Sequence, residues 1–227
     1  MYADEHNPTG AIVPLERAIR LDPENAEANR TLGVILGSLG LFARAEAPLR
    51  RACALYVEQS VNNESLRSEL ADARNSLGSV LVNLERWDEA LPLFLLATEE
   101  ITYGSAHLAF GNLGMVYLHR GQLPEAITAL QRSVRLQASF CVGNARLGQA
   151  LFRNHDAAHA VEALDRAVGT HQDGCDRLQG AYLWRAKARI ELHQTDAAQE
   201  DIQRCVALGN GTPEGLECAT LQRGGTP

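Results

Sequence analysis

The chain has 227 residues, of which 45% are hydrophobic and 22% are charged, a composition typical of a folded protein with a buried core. Its formal net charge of −7 argues against nucleic acid as a partner, because nucleic-acid binding depends on Lys and Arg that neutralise phosphates. No stretch approaches the roughly 18 consecutive apolar residues of a membrane span. The opening MYADEHNPTG lacks the basic and apolar regions of a signal peptide.

A Leu-Gly pair recurs along the chain, mostly at intervals close to 34 residues. In each copy a large apolar residue follows the Gly by three positions, an alanine follows it by twelve, and a Leu or Phe stands four residues after that alanine. This pattern resembles the tetratricopeptide repeat, a helical hairpin about 34 residues long. The pairs are Leu32-Gly33, Leu77-Gly78, Leu113-Gly114 and Leu147-Gly148.

In this register the chain is predicted to be one tetratricopeptide repeat domain over residues 1–227. Residues 1–25 match only a partial repeat, so Met1 falls inside a first helix and the chain is expected to be a truncated or restarted form of something longer. The predicted fold is an all-α, right-handed superhelical solenoid with a C-terminal capping helix. The full repeats are 26–59, 71–104, 107–140, 141–174 and 179–212, and the cap covers about 213–222, opening at Thr212-Pro213.

Eleven extra residues, SVNNESLRSEL at 60–70, separate the first two full repeats. Eleven residues correspond to about three helical turns, and an apolar stripe through Leu66 and Leu70 continues into the next repeat after the Asn62-Asn63 break. We expect a lengthened helix rather than a loop. It is either a harmless drift of the repeat or a protruding contact surface.

The positions of the glycines support two separate predictions. The Gly of each Leu-Gly pair lies inside a helix, where it costs about 1 kcal/mol relative to Ala, so its presence predicts close approach of a neighbouring helix. Gly40 and Gly121 fall between helices, where Gly tolerates the positive φ of a tight turn. Glu85, His155 and His193 occupy the equivalent positions in other repeats, and we expect those turns to be built differently.

Four of the five cysteines stand where neighbouring elements could bring them together. Cys141 and Cys175 lie at or just before adjacent first helices, while Cys205 lies on the last second helix and Cys218 on the predicted cap. We predict the disulfides Cys141–Cys175 and Cys205–Cys218, which would indicate an oxidising compartment. The alternative is that these residues are small buried hydrophobes. Cys53 would remain a free thiol.

Signals for catalysis are weak. The chain has no phosphate-binding loop and no nucleophile elbow. His155 and His159 are four residues apart but lack the H-E-x-x-H pattern, so we expect two solvated histidines rather than a metal site. We predict a protein without catalytic residues, metal or cofactor.

Two stretches, 106–152 and 173–219, resemble the type IV pilus pilotins, most closely those of the myxobacterial Tgl type that serve motility. The resemblance is carried by Phe140-Cys141, Cys175 before a degenerate last repeat, Cys205, Thr212-Pro213 and the closing Gly215-Leu216-Glu217-Cys218. It implies a lipoprotein on the periplasmic face of the outer membrane that helps the pilus secretin assemble. The lipid anchor is implied by the resemblance and is absent from these residues, and no other membrane contact and no nucleic-acid partner are expected.

Two other classes of repeat protein have recognisable sequence requirements. A chaperone-type adaptor that grips a C-terminal carboxylate needs Lys at the fifth and Asn at the ninth position of a first helix. Here those pairs are Arg30/Val34, Asn75/Ser79, Gly111/Met115, Ala145/Gln149 and Leu183/Lys187, so this clamp is not expected. A general adaptor for a peptide segment of another complex remains open, whereas the repeats leave no room for the catalytic domain of an enzyme.

The first helices of such repeats line a concave face through their second, fifth, ninth, twelfth and thirteenth positions. We therefore predict a largely apolar groove that binds a segment of the secretin through apolar anchors. The alternative is that some of these side chains pack within the protein. The predicted groove residues are Val34, Asn75, Asn83, Met115, Leu118, Val142, Gln149, Phe152, Leu183 and Lys187.

Overall fold

The computed structural model describes residues 8–169 and 174–224, and this part of the chain is helical and contains no β-strand. It forms two compact units, unit 1 up to Asn112 and unit 2 from Leu113. The helices are α1 (Ile12–Leu21), α2 (Ala26–Ser38), α3 (Phe42–Ser60), α4 (Arg67–Asn83), α5 (Trp87–Thr98), α6 (Ala106–His119), α7 (Leu123–Leu136), α8 (Cys141–Arg153), α9 (Ala157–Gly169), α10 (Gln179–Glu191), α11 (Thr195–Leu208) and α12 (Pro213–Gln222).

Helices pack in chain order within each unit, as in a solenoid. In unit 1, α2 packs against α3, α3 against α4, and α4 against α5. The first helices α2 and α4 also touch. In unit 2 the same holds from α7 through α12, and α8 touches α10. Each hairpin thus buries its apolar side against its neighbours, as repeat proteins do.

The two helices of a hairpin meet at the glycine of the Leu-Gly pair, as the sequence predicts. A Cβ added to Gly78 would lie 2.6 Å from Cε1 of Phe94, and one added to Gly114 would overlap Leu130. Both partner side chains are fully buried. The absence of a side chain at the Gly therefore lets the second helix press its largest core residue against the backbone of the first.

The five turns inside the hairpins share one conformation, and the expectation that three would be built differently is wrong. Gly40 and Gly121 have φ of 74° and 71°, while Glu85, His155 and His193 have φ of 60°, 60° and 59°. Each turn is closed by a backbone N–H that donates over 2.8–2.9 Å to the carbonyl five residues earlier, as in a Schellman motif. This bond requires the left-handed residue, whatever its side chain.

The extra residues between the first two full repeats extend helices, as predicted. α3 continues to Ser60, and after a short break a 3-10 turn over Glu64–Leu66 leads into α4 at Arg67. Asn63 starts this turn by accepting a 3.2 Å hydrogen bond from the Ser65 N–H. Leu70 is buried, so the added turn of α4 belongs to the core of unit 1.

Both predicted disulfides are present in unit 2. Cys141 bonds to Cys175 with Cα atoms 5.8 Å apart, and Cys205 bonds to Cys218 with Cα atoms 6.2 Å apart. The first bond links the start of α8 to the 3-10 turn before α10, and the second links α11 to α12. Cys53 is free, and burial raises the pKa of its thiol to about 11, so it stays protonated at neutral pH.

The last hairpin replaces the Leu-Gly pair by Arg185 and Ala186, and an ionic network takes over part of its packing. Arg185 Nε donates to both oxygens of the buried Asp201 carboxylate at 3.1 and 3.0 Å, and Arg189 donates to it at 2.8 Å. Because a buried carboxylate is costly without partners, two guanidinium groups are needed to hold it. Asp165 accepts from the same two arginines at the surface.

The capping helix α12 begins at the predicted Thr-Pro signal. Thr212 Oγ1 accepts the Gly215 N–H at 3.0 Å, and Pro213 occupies the first helical position. A Cβ on Gly215 would collide with the carbonyl oxygen of Gly209, so the cap sits directly on the preceding loop. Gln179 ties the loop to α10 by donating to the carbonyl of Gly209 at 2.5 Å.

The close helix approach predicts opposite effects for two glycine substitutions in unit 2. Gly114→Ala should lower the free energy of unfolding by about 1–3 kcal/mol, because the new methyl group overpacks against Leu130. Gly180→Ala, in α10 with no atom within 4 Å of the added Cβ, should raise it by about 0.5–1 kcal/mol. Urea denaturation followed by circular dichroism measures both, and a neutral Gly114→Ala would contradict the packing argument.

The left-handed turns predict a stabilising substitution. His193→Gly should raise the free energy of unfolding by up to about 1 kcal/mol, because a Cβ is unfavourable at positive φ. The adjacent Gln194, with φ of −88°, is the matched control, and Gln194→Gly should bring no gain. Thermal melts of the two variants compare them directly. Equal shifts in the two melts would show that the left-handed conformation carries no strain.

The disulfides should stabilise unit 2 unequally because they close loops of different length. The sequence separations are 34 and 13 residues. Chain-entropy arguments give about 4 kcal/mol for the longer loop and about 3 kcal/mol for the shorter one. The double variants Cys141→Ala/Cys175→Ala and Cys205→Ala/Cys218→Ala, compared by urea denaturation, should therefore both be destabilised, the first more than the second. The reverse order would be evidence against loop closure as the source of stability.

Candidate functional site

Unit 1 brings its three predicted groove residues to one pocket. Val34 on α2 and Asn75 and Asn83 on α4 line a space of about 200 Å³. Asn112 Nδ2 donates to Asn75 Oδ1 and to Ser79 Oγ, both at 3.1 Å, and Asn83 Nδ2 donates to the Ser79 carbonyl at 2.9 Å. The walls therefore combine small apolar surface with amides and hydroxyls that are already hydrogen-bonded to one another.

Unit 2 has a larger pocket between α8, α10 and α12, with a volume of about 510 Å³. Three predicted groove residues, Val142, Gln149 and Leu183, line it. The other lining residues come from the same helices and from the 3-10 turn before α10: Ala145, Arg146, Arg177, Leu178, Gln179, Gly180, Ala181, Trp184, Pro213, Glu214 and Glu217.

A row of aromatic and charged side chains borders this pocket. The rings of Phe152 and Trp184 are tilted against each other with centroids 5.8 Å apart. The Lys187 ammonium lies 4.4 Å from the Trp184 ring centroid and pairs with Glu217 at 2.5 Å. Trp184 is thus held between an aromatic neighbour and a cation, and α12 supplies the counter-charge.

Three of the predicted groove residues are buried: Asn75 is 7% exposed, and the other two are apolar. Leu118 is 5% exposed and Leu183 is 2% exposed, and each belongs to a hydrophobic core. The prediction of an accessible apolar side chain is wrong for both, because these positions pack against the next helices of the unit. Met115, Val142 and Phe152 are half-buried and retain accessible surface.

The sequence prediction missed Trp184 and the charged lining residues of the unit 2 pocket. Arg146 and Trp184 stand at the sixth position of their first helices, next to a predicted groove position, the fifth. A residue at position six shares a helical face with positions two and nine, and this spacing could have identified both. The contributions of Arg177, Glu214 and Glu217 depend on where the 3-10 turn and α12 fold back, which the repeat pattern does not specify.

The positive charges of this pocket lie on its α8 and α10 sides. Burial lowers the pKa of Arg146 to about 10, so its guanidinium is still a cation at neutral pH but partly removed from water. α10 begins without a side-chain cap and has no acidic residue in its first turn. Its N-terminal N–H groups therefore add to the positive potential.

The described residues contain no group of three or more His, Cys, Asp or Glu placed to hold a metal ion. His155 occupies a left-handed turn, and His159 Nδ1 lies 2.9 Å from Asp156, which raises the pKa of its imidazole. No helix in the described ranges combines the length and apolar character needed to cross a membrane.

The sequence is similar to that of a type IV pilus protein. It is 28% identical over 205 residues to the type IV pilus assembly protein PilF of Pseudomonas aeruginosa, and the match covers 89% of this chain and 75% of that protein. The solved structure of Pseudomonas aeruginosa PilF aligns with a TM-score of 0.76 at 22% identity, covering 95% of this chain and 90% of that one.

Two further solved structures share the fold. PilW, a widely conserved type IV pilus biogenesis factor, has a TM-score of 0.70 at 19% identity, covering 94% of this chain and 91% of its own. YrrB, a tetratricopeptide repeat protein with an unusual peptide-binding site, has a TM-score of 0.62 at 20% identity, covering 91% and 97%. Two sequence profiles of the tetratricopeptide repeat match residues 2–58 and 69–139, which together make up more than half of the chain. With the helical hairpins described above, these matches place the chain in the tetratricopeptide repeat family.

Proposed function

We propose that this protein is an interaction scaffold that acts as a pilotin of the Tgl and PilF type. It promotes the assembly of the outer-membrane secretin through which type IV pili pass. The observation that carries this proposal is the similarity to PilF, which extends over 89% of the chain rather than over a single repeat. The two pockets supply surfaces on which a segment of the secretin binds.

The proposed location is the periplasmic face of the outer membrane. Two disulfides in a chain of this size support an oxidising compartment, because cytosolic proteins are generally kept reduced. A lipid anchor, implied by the resemblance to pilotins, would attach the protein to the membrane outside the residues described. The repeats themselves make no membrane contact in this proposal.

The partner binds as an extended or amphipathic segment along the first helices. Val142, Phe152 and Trp184 supply apolar surface in unit 2, and Gln149 stands beside them with an amide that can bond the partner backbone. In unit 1 the amide-rich pocket around Asn75 would serve the same purpose with uncharged groups. Binding needs no catalytic step, and we propose that the protein is not an enzyme.

A second candidate is a general adaptor that binds a peptide segment of another complex. It is favoured by the shared fold with YrrB, whose peptide-binding site shows that a structure of this fold serves that purpose. The two candidates differ in the partner and not in the surface. A test with the secretin therefore separates them.

The proposal predicts that polar substitutions in the unit 2 groove abolish secretin assembly without unfolding the protein. We expect Val142→Ser/Phe152→Ser, both half-buried positions, to prevent formation of detergent-resistant secretin multimers when the two proteins are co-expressed with envelope targeting. Leu118 is left unchanged, because its burial would confound the result with instability. Thermal melts of each variant check that the fold is retained.

Ile190→Ser is the matched control, since Ile190 is 46% exposed on α10 but does not line the pocket. It should leave multimer formation at the wild-type level. Multimers that form equally well with and without the wild-type chain would overturn the pilotin proposal and favour the general adaptor. Multimers that form with the groove variant would place the contact on another surface.

A further inference from the structure

We propose that the pocket of unit 2 binds an acidic side chain of the partner, an Asp or Glu inside the bound segment and next to an apolar residue. This inference rests on the proposed function, because it names the chemistry of the segment that the scaffold binds. It concerns one pocket, bounded by α8, α10 and α12, and the arginines that line it.

The apolar part of the pocket indicates that the bound segment contains an apolar side chain. Val142, Leu178 and Trp184 line a space of about 510 Å³, which accommodates several side chains of a bound segment. The indole is already positioned by Phe152 and Lys187, so a ligand side chain meets a fixed surface. An aliphatic or aromatic residue of the partner fits here.

The arginines indicate that the bound segment also contains a carboxylate. Arg146 on α8 and Arg177 in the 3-10 turn before α10 both line the same space. Arg177 forms no ion pair with any other residue of the described ranges. Arg146 is partly desolvated, as its lowered pKa indicates, so an incoming carboxylate interacts with it more strongly than with an exposed cation.

The acidic residues of the pocket do not cancel the positive potential of the arginines. Glu217 is paired with Lys187 at 2.5 Å. Glu214 lies in the first turn of α12, where the positive end of the helix dipole offsets part of its charge. With Lys187 included, the pocket and its border carry three cations and two carboxylates, and this excess of one positive charge on a chain whose net charge is −7 favours an acidic ligand.

The arrangement suits an internal carboxylate rather than a chain terminus. The Lys and Asn that grip a terminal carboxylate at the fifth and ninth positions are replaced here by Ala145 and Gln149. A guanidinium takes both oxygens of a carboxylate through its planar fork, so the preference for an internal side chain rests on the missing clamp residues. The partner backbone can then continue past the pocket along Gln149 and Phe152.

Short synthetic peptides test this assignment on the full chain. The first has blocked ends and one glutamate between two leucines, the second carries glutamine in its place, and the third carries glutamine with a free C-terminus. Titrations followed by ¹H–¹⁵N NMR should shift the pocket amides of Gly180 and Gln149 with the first peptide. The glutamine peptides should bind about tenfold more weakly, because they lose a charged hydrogen-bonding partner.

Arginine variants connect the binding to the pocket. Arg146→Met should abolish the preference for glutamate over glutamine, and Arg177→Gln should weaken binding about twofold to fivefold, as expected for an exposed ion pair. Arg177 is exposed, so its variant remains informative if Arg146→Met fails to fold. Arg135→Gln removes an exposed charge on α7 outside the pocket and should leave binding unchanged.

Equal binding of the blocked glutamate and glutamine peptides, stronger binding of the free C-terminus, or no shift with any peptide would each overturn the inference. The secretin assay separates it from the proposed function. If Arg146→Met leaves secretin multimers at the wild-type level, the inference fails and the pilotin proposal stands. If the wild-type chain supports no multimers while the glutamate peptide binds, the pilotin proposal fails and the pocket assignment stands.

Discussion

Each hairpin depends on the contact between a glycine of its first helix and a large apolar side chain of its second. At Gly33, Gly78, Gly114 and Gly148 a Cβ would overlap Leu49, Phe94, Leu130 and Leu164, respectively. These four side chains are fully buried, so the contact removes a large apolar surface from water at the point where the helices are closest. Because that side of each first helix is used for its own hairpin, the remaining sides are available for neighbouring repeats and for a partner.

The last hairpin shows what happens when this contact is absent. Ala186 stands where the glycine would be, and the helices are held in addition by Arg185, Arg189 and the buried Asp201. Ion pairs of this kind are less tolerant of loss than apolar contacts, since an unpaired buried charge is costly. The disulfide from Cys205 to Cys218 and the bonds of Gln179 reinforce the same region. Ion pairs, hydrogen bonds and a disulfide thus stabilise the helix packing of the last hairpin, which the glycine contact stabilises in the other hairpins.

The sequence predicted much of the fold because helix packing repeats with a fixed period. Leu-Gly spacing identified the hairpins and the close approach, and cysteine positions identified both disulfides. The prediction that the turns at Glu85, His155 and His193 are built differently was wrong. The backbone hydrogen bond, and not the glycine, determines the left-handed conformation.

The candidate site was less predictable, since a repeat register assigns positions within a helix but not the packing of a particular pair of helices. Val142 and Gln149 from that register line the pocket, but the register could not show that Leu118 is enclosed by the core. Arg177 and Glu214 lie outside the repeated first helices, so no period points to them. The best-predicted residues are therefore those that every repeat shares, whereas Arg177 and Glu214, two of the charges that would distinguish one partner from another, come from the parts that repeat least.

α12, which lies outside the repeats, has a role in stability and a proposed role in binding. A solenoid must cover the apolar side of its last hairpin, and α12 does so by burying Cys218 and Leu221 against α10 and α11. The same helix contributes Pro213, Glu214 and Glu217 to the wall of the unit 2 pocket. Since the disulfide to Cys205 ties α12 to α11, the wall and the cap are held by one covalent bond. The disulfide thus reinforces, together with the Lys187–Glu217 ion pair and the core around Leu221, a helix that both closes the solenoid and forms one wall of the pocket.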